Sequence, residues 1–376
     1  MLGHRVAVVG RGIVTSVGFG LPATWDALLL GVVGRRRLSS RHQGYVRSTF
    51  AHTIPLLSSG DRLVDLGDIA AREAMQEAGT QPDYLALGSS SAGYSRFEDW
   101  LTLDSPAHPG MRPGWASIEL ASRLGIAPDR VLHCSQACAA SSYAIAAAAD
   151  LICAGEVDVA MAGGVDVVTL PVIAGFESCR IHSDTCRPFD ADRTGLILGE
   201  AAAFLVLASE KAVRAQNLRP EAYLSGVGLS CDAYDAVAPH PTGSGVSRAI
   251  EEAHVAAGNC TVDLICAHGT GTQLNDATEA RAIIDHFSPA EVPPVVSYKG
   301  SLGHPQGASG ACSAVLCVEV MRANTIFPNV GLRTLDPAIN LEVPTVPHRT
   351  SVSAALSLAS GSWGVNAALL FTAARL

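Results

Sequence analysis

The sequence predicts an α/β fold of two pseudo-symmetric αβ halves packed as five layers in the order α-β-α-β-α. Three observations predict it. Strand-like segments that are apolar on both faces alternate with helical ones along the 376 residues, the pattern of parallel-rich sheets covered by helices. The element order of the first part of the chain returns, weakened, in the second. Two Ala-rich, charge-poor helical stretches, one after Cys138 and one after Gly307, suit a buried middle layer where small side chains let backbones approach closely.

Taken in order, Arg5-Val-Ala-Val-Val-Gly10 with Gly12 and Ser16 reads as a strand entering a Gly/Ser turn, and Ala222 to Gly228 with Ser230 repeats it. Ala86 to Gly93 parallels Leu264 to Thr272, each an apolar strand followed by small residues. Arg130 to Cys134, leading into a helix from about Cys138 to Ala154, parallels Pro294 to Tyr298, leading into a helix from about Gly307 to Arg322. Val157 to Gly164 parallels Ser353 to Gly361, each a strand closing on glycine. The expected domains are residues 1–220 and 221–376. The boundary falls near Leu218–Tyr223, after a helix over Glu210–Gln216 that Asn217-Leu218-Arg219-Pro220 stops.

Composition narrows the function classes. Hydrophobic residues make up 48% and charged residues 16%, with 36 Gly, which describes a densely packed protein of small side chains. The net charge of −9 carries no basic stripe, and the only Arg cluster, Arg35 to Arg37, reads as a solvated loop, so no nucleic-acid partner is expected. The long apolar stretch Tyr143–Phe176 holds Asp150, Glu156, Asp158 and Asp166, charges that a membrane span rarely tolerates. The opening strand is interrupted too soon for a signal peptide. Ten cysteines scattered through apolar runs, among them Cys153, Cys260, Cys266, Cys312 and Cys317, fit reduced core thiols and a cytoplasmic location. Cys134 and Cys138 lie four apart with no second pair at zinc spacing, so no metal is expected.

Three segments carry chemistry. In HCSQACAASS a strand ending at His133 turns sharply into a helix that begins near Cys138, which places the sulfur over free helix amides and predicts a lowered thiol pKa. Ala137, Ala139 and Ala140 leave room for an incoming thioester, whereas Cys134 reads as structural. His268 sits on the turn AHGTGTQLND, where Thr270 and Thr272 present hydroxyls. Lys299 and His304, in KGSLGHPQGASG, are assigned to the place in the second half that Cys138 holds in the first, so the repeat predicts that all four meet near a pseudo-twofold axis. The histidines at 4, 42, 52, 108, 182, 254, 286 and 348 lack such context, and solvent exposure is expected of them. The N-terminal glycine pattern lacks the acidic partner of a dinucleotide site.

These segments, with Arg187-Pro188-Phe189-Asp190, Arg193, Gly199-Glu200, Asp232-Ala233-Tyr234, Phe327-Pro328-Asn329, Gly364 and Asn366, resemble the β-ketoacyl-acyl-carrier-protein synthases, condensing enzymes of the thiolase superfamily, over nearly the whole chain. The resemblance implies a thiolase-like fold and a decarboxylative Claisen condensation. Cys138 takes an acyl chain as a thioester, a malonyl-type extender loses CO₂, and its enolate attacks the acyl carbonyl. It also implies roles. His268 and His304 bond the extender thioester oxygen, Lys299 organises the second histidine with Glu279 as counter-charge, and Thr270 and Thr272 touch pantetheine. The amides of Cys138 and Ser362 form the acyl-transfer oxyanion hole, with Asn366 in support. No resident cofactor is implied, because phosphopantetheine arrives on the acyl carrier protein. The implied partners are that carrier, its acyl and malonyl-type thioesters, and a second identical or ketosynthase-like subunit.

Departures point toward the polyketide type. Ser360 and Ser362 stand where elongation enzymes carry the phenylalanines of their gating turn, so either Trp363 replaces the gate or the chamber stays open. Ser313 stands where a glutamate often follows the lysine, and the connection from Phe176 to Arg187 is short. Two other functions compete with condensation: an acyltransferase that forms an ester or amide without decarboxylation, and a chain-length-type partner subunit of a heterodimer. The intact histidines and nucleophile favour condensation.

Overall fold

Each half lays down five main strands in one order, with short two-residue strands beside them. The computed structural model describes residues 5–39, 42, 44–56, 60–103, 106–287 and 291–374. The first half holds β1 (Val6–Thr15), β2 (Tyr84–Gly88), β3 (Val131–Cys134), β4 (Val159–Asp166) and β5 (Ala201–Ala208). The second holds β6 (Ala222–Cys231), β7 (Leu264–Cys266), β8 (Val295–Val296), β9 (Ala354–Gly361) and β10 (Val365–Ala373). Their spatial order is β3-β2-β4-β5-β1-β6-β10-β9-β7-β8, so adding five to a first-half strand gives its mirror in the second. In each half the two outer pairings are parallel and the inner ones antiparallel.

The halves are not two separate sheets. β1 and β6 pair antiparallel through Val6↔Leu224, Ala7↔Tyr223 and Val8↔Ala222, which joins them in one ladder path. The repeat extends to the helices. α1 (Arg62–Ala78), α2 (Pro113–Arg123) and α3 (Ala140–Cys153) link the first-half strands. After them come α4 (Leu170–Ser178) and α5 (Glu210–Gln216), and then α6 (Ser244–Ala256), α7 (Gln273–Phe287) and α8 (Ser309–Ala323) link the second-half strands. α5 ends on Asn217 in the left-handed conformation, as the stop signal predicts.

Three apolar clusters define the five layers. α1 and α2 cover one face of the first sheet through Leu66, Ala70 and Leu120 against Leu85, Leu87 and Phe204. α6 and α7 cover the far face of the second through Ile250 and Ile283 against Leu356 and Leu370. Between the sheets lie α3 and α8, with Ile145, Ala148, Val315 and Val318 packed on Ala86 and Leu205 from one side and on Leu264 and Ala355 from the other. Period-two alternation sorts the strand residues: Leu85 and Leu87 face outward and Ala86 inward.

The glycines expected in turns lie inside the strands. A Cβ on Gly10 or Gly12 would fall 2.2 or 2.0 Å from the Ala74 or Ala70 carbonyl of α1. On Gly226 or Gly228 it would fall 2.0 or 1.9 Å from the Ala253 or Ala249 carbonyl of α6. The signal that reads as a turn is a groove in each half where a helix lies directly on the sheet.

One ionic cluster ties the halves. Arg11 of β1, 2% exposed, reaches Glu319 of α8 at 2.8 Å, Glu77 of α1 at 2.5 Å and Glu221 at 3.5 Å. Not every histidine without motif context is on the surface. His52 is 1% exposed, with Nδ1 2.9 Å from the Ser301 carbonyl. His254 and His286 pair at 2.9 Å, and His4 lies outside the described residues. The Arg cluster is partly structured: Arg36–Arg37 pairs with Phe50–Ala51, and Arg35 stacks 4.4 Å over Phe50. Among the described residues no helix is long and apolar enough to cross a membrane.

Candidate active site

Both middle-layer helices begin in the same unusual way. A 3₁₀ turn, Ala137–Ala139, precedes α3, and another, Gln306–Ala308, precedes α8. Each opens on a non-glycine residue in the left-handed region, Ala137 at φ 45° and Gln306 at φ 49°. Such strain persists only where the surroundings enforce it, commonly at functional sites. The repeat therefore equates Cys138 with Gly307 rather than with His304 or Lys299. Gly307 has no room for a side chain, since a Cβ would lie 2.7 Å from Asp166 Oδ2 and from the Ser90 amide. The histidine and lysine come from the preceding turn.

The four predicted residues nevertheless converge. His304 Nε2 lies 3.1 Å from Cys138 Sγ, and the His268 and His304 rings meet edge-on with centroids 5.2 Å apart. Cys138, His268 and His304 line one chamber of about 370 Å³, together with Thr270, Thr272, Ser360 and Ser362. Phe176, from α4, packs edge-on against the other side of His304, centroids 6.1 Å apart. Phe176 opens the short connection to Arg187 that the sequence singles out, and Cys179, Arg180 and Ile181 of that connection line the chamber with it.

The electrostatics differ from the helix-start expectation. Burial pushes the Cys138 thiol up to about 12, opposed by the nearby Lys299 charge and by a bond from the Ser362 amide. Helix amides do not outweigh full desolvation of a thiolate. Burial, reinforced by Lys299, holds His304 well below the usual imidazole value, and His268 is lowered by the same two causes in that order. The resting pair is thus a neutral thiol beside a neutral imidazole.

Lys299 serves the first histidine more directly than the second. It is fully buried, its ammonium donates to the His268 backbone carbonyl, and it reaches His304 only through space. Burial lowers its pKa and Glu279 opposes that shift. Glu279 accepts the His268 and Gly269 amides at 2.6 and 2.8 Å, and burial pushes it up to about 7. Where the extra glutamate is absent, Ser313 Oγ accepts from the Cys266 thiol at 3.4 Å.

Thr270 and Thr272 face the chamber with their hydroxyls 2.9 Å apart. Asp276, which sequence reasoning passed over inside HGTGTQLND, shapes this turn by accepting the Thr270, Gly271 and Phe189 amides. Asn366 supports the gate turn, donating to Asp232 at 2.8 Å and to the Gly364 carbonyl at 3.0 Å. Gly361 lies against the nucleophile, its notional Cβ 2.9 Å from the Cys138 amide, which brings Ser362 alongside. Trp363 does not replace the missing gate: it is 71% exposed, outside the chamber lining, and its amide bonds the Ala236 carbonyl.

Asp166 is another residue the sequence did not single out for the site. Fully buried, it accepts the Ser90, Ser91 and Gly307 amides and the hydroxyls of Ser89, Ser90 and Ser91. It clamps the start of the α8 segment to the end of β4. Its only sequence signal was a carboxylate at the end of an apolar strand.

Comparison with known proteins extends over the same elements. Residues 3–212 match the family model described as the N-terminal domain of β-ketoacyl synthase, and residues 221–333 match its C-terminal domain. Nodulation protein E of Rhizobium leguminosarum bv. trifolii is 36% identical over 398 residues, covering 98% of this chain and 99% of the relative. The chloroplastic 3-oxoacyl-[acyl-carrier-protein] synthase II of Arabidopsis thaliana is 30% identical over 410 residues, covering 98% of this chain and 75% of its own. Among solved structures, the ishigamide ketosynthase/chain length factor superposes with a TM-score of 0.89 at 31% identity, covering 99% of each chain. A β-ketoacyl synthase from Burkholderia phymatum gives 0.87 at 27%, covering 99% of this chain and all of the other.

Proposed function

This chain belongs to the β-ketoacyl synthase family, and from that premise we propose that it joins an acyl thioester to a malonyl-type extender by decarboxylative Claisen condensation, in polyketide or specialised fatty-acid synthesis. The observation that carries the reading is the 3.1 Å contact of Cys138 with His304 in a chamber that His268 also lines. Residues 1–220 supply the nucleophile and residues 221–376 supply His268, Lys299 and His304, a division supported by the β1–β6 seam.

In the first half-reaction the neutral thiol gives its proton to His304 Nε2 as the sulfur attacks the acyl carbonyl. The Ser362 amide and that of Cys138 hold the oxyanion, and the carrier thiol leaves with the proton. Burial of Cys138, His268 and His304 strengthens each of these contacts. In the second, the extender carboxylate leaves as CO₂. The electron pair moves onto the thioester oxygen, where His268 donates a hydrogen bond and His304 donates once a solvent proton has reached its Nε2. The enolate carbon then displaces Cys138 as a thiolate, which takes that proton from His304 to become the thiol again. Lys299 holds the His268 carbonyl, and Thr270 and Thr272 present hydroxyls to the pantetheine arm. That arm arrives on an acyl carrier protein, so no resident cofactor enters the cycle.

The chain works with a second subunit, identical or ketosynthase-like. β3 is the free edge of the first-half sheet, and Val131, Leu132 and His133 on it are only half-buried. The competing acyltransferase reading has no use for two histidines facing one oxygen site, and the partner-subunit reading has none for Cys138.

The test incubates the protein with acyl- and malonyl-carrier proteins and follows CO₂ release and product mass. A β-ketoacyl product two carbons longer is expected, for a malonyl extender. Acylation of Cys138 without CO₂ release would establish the acyltransferase instead, and wild-type behaviour identical to Cys138→Ala would establish the partner subunit.

A further inference from the structure

A strained turn joins the two anchors of His304. Its main chain is fixed on one side, where its amide bonds the Ile197 carbonyl at 2.7 Å and its carbonyl accepts the Gly199 amide at 2.9 Å. Its ring is fixed from the other side, where Ser309 Oγ, on the first residue of α8, lies 3.0 Å from Nδ1. Pro305 to Ala308 connect these anchors, and Gln306 among them holds φ 49°. A non-glycine residue keeps such a conformation only where its surroundings enforce it. Whatever enforces this one also decides where Nε2 points.

Three hydrogen bonds reach the turn from the first half. The Gly307 amide donates to Asp166 Oδ2 at 2.6 Å and to Ser90 Oγ at 3.3 Å, and Gln306 Nε2 donates to the Val167 carbonyl at 3.3 Å. The shortest runs to Asp166. Its Oδ1 accepts the Ser89 hydroxyl and both the amide and hydroxyl of Ser91, and its Oδ2 accepts the amide and hydroxyl of Ser90. The nucleophile is backed by the same block. A Cβ on Gly88, next to Ser89, would lie 2.3 Å from the Ser141 amide in the first turn of α3, and Ser141 Oγ accepts the Ala311 amide of α8 at 2.9 Å.

Resting on the condensing reading above, we propose that Asp166 is a positioning residue for acylation, which holds Gly307 against Ser89–Ser91 and so keeps the His304 ring aimed at the Cys138 sulfur. Asp166 is fully buried and does not line the chamber, so it acts through the turn and not on substrate. The ionisable groups beside the pair it sets are His268 and Lys299, and those its own charge reaches are Cys138 and His133. The sign of that charge is useful. Burial does most to oppose a thiolate at Cys138, and the Asp166 charge adds to it. Neutralising Asp166 by itself would therefore speed attack by the sulfur, whereas loosening the turn slows it.

Asp166→Asn separates the two. Whichever way the amide faces, its NH₂ meets a backbone N–H, that of Ser91 or those of Ser90 and Gly307, and only the hydroxyls can turn to accept it. The experiment measures single-turnover acylation of Cys138 in the full-length protein against acyl-carrier concentration, from pH 6 to 9. The maximum rate is expected to fall roughly 10- to 100-fold, the scale of a reacting group displaced by about 1 Å. The half-saturating carrier concentration should stay within about twofold, since no contact to the carrier is lost. The rate should also climb with pH, because a thiol without its base must ionise unaided, and its thiolate fraction grows about tenfold per unit below its pKa. Wild type stays flat from pH 6 to 8. Ser90→Ala, which removes the hydroxyl shared by Asp166 and Gly307, should show the same change on a smaller scale and decides the matter if Asp166→Asn does not fold. A wild-type or faster rate in the variant, or a slower rate with a flat profile, overturns the role of Asp166. Alkylation of Cys138 by iodoacetamide uses the same pair without a carrier, and the same two pH profiles are expected of it. A wild-type protein that takes up no acyl group overturns the condensing reading, while the alkylation profiles still decide the role of Asp166.

Discussion

Cys138 Sγ and His304 Nε2 stand 3.1 Å apart across 166 residues of chain, one at the start of each pseudo-symmetric middle-layer segment, and both are neutral at rest. The nucleophile is therefore made at the moment of attack rather than stored as a thiolate. His268, its ring centroid 5.2 Å from that of His304, makes no hydrogen bond to the sulfur among the described residues, and in the proposed cycle it serves the oxygen of the second half-reaction.

This separates the histidine variants. His304→Ala is expected to slow acylation of Cys138 by about 10²-fold or more, as a lost general base does. His268→Ala should leave acylation nearly unchanged and slow CO₂ release by roughly 10²–10³-fold, as a lost oxyanion donor does. Stopped-flow acylation and CO₂ release, measured on both variants, check the split.

The depressed His304 value sets the pH response. An imidazole of ordinary pKa would lose half its base form near pH 6.5. Burial and Lys299 hold His304 well below that, so acylation should stay flat from about pH 8 to 6 rather than fall. A pH series of single-turnover acylation rates is the check, and a drop centred near neutrality contradicts the assignment.

Ser362 lines the chamber at one of the two positions where the resemblance places a gating ring. Ser362→Phe should reduce uptake of long acyl chains roughly tenfold or more relative to short ones, the scale on which pocket shape discriminates apolar groups. Competition between acyl-carrier proteins of two chain lengths, read by mass spectrometry, measures the shift.

How much of this was legible in the sequence depended on what each signal encodes. Cys138, His268, Lys299 and His304 announced themselves because reactive side chains sat on turns of small residues. The five-layer stacking followed from both-face apolar strands and the Ala-rich runs. Gly10, Gly12, Gly226 and Gly228 were read as turns because glycine composition alone does not separate a turn from a strand on which a helix lies. Asp166 escaped notice because its value lies in partners distant in sequence, such as Gly307, and Asp276 because one amide it holds, that of Phe189, is 87 residues away. The thiol pKa was misjudged because a helix start is visible locally, whereas full burial is a property of the assembled layers.

The ionic cluster between halves makes its own prediction. Arg11→Met leaves Glu319, 2% exposed, with Arg322 at 2.6 Å as its remaining cation, so the loss should fall below the about 3–5 kcal/mol of a buried charge left without any partner. Denaturant unfolding should show that loss, and the double variant Arg11→Met/Glu319→Leu should recover part of it.

His52 adds acid sensitivity. Burial lowers it from 6.5 to about 4, so the folded chain keeps it neutral where the unfolded chain takes up a proton. The stability it supports is full above pH 6.5 and is lost as pH falls toward 4, by about 3 kcal/mol for a shift of this size. Unfolding curves at several pH values should show a shallower acid loss in His52→Asn than in wild type.

The most direct test of the central claim uses a carrier protein whose pantetheine arm ends in a thiol-reactive electrophile, followed by peptide mapping of the cross-linked protein. The adduct is expected on Cys138 alone, sparing Cys179, which lines the same chamber, and the other eight of the ten cysteines. Cross-linking at Cys179 or elsewhere with Cys138 unmodified would show that the arm does not reach the nucleophile, and the proposed catalytic site would fall with it.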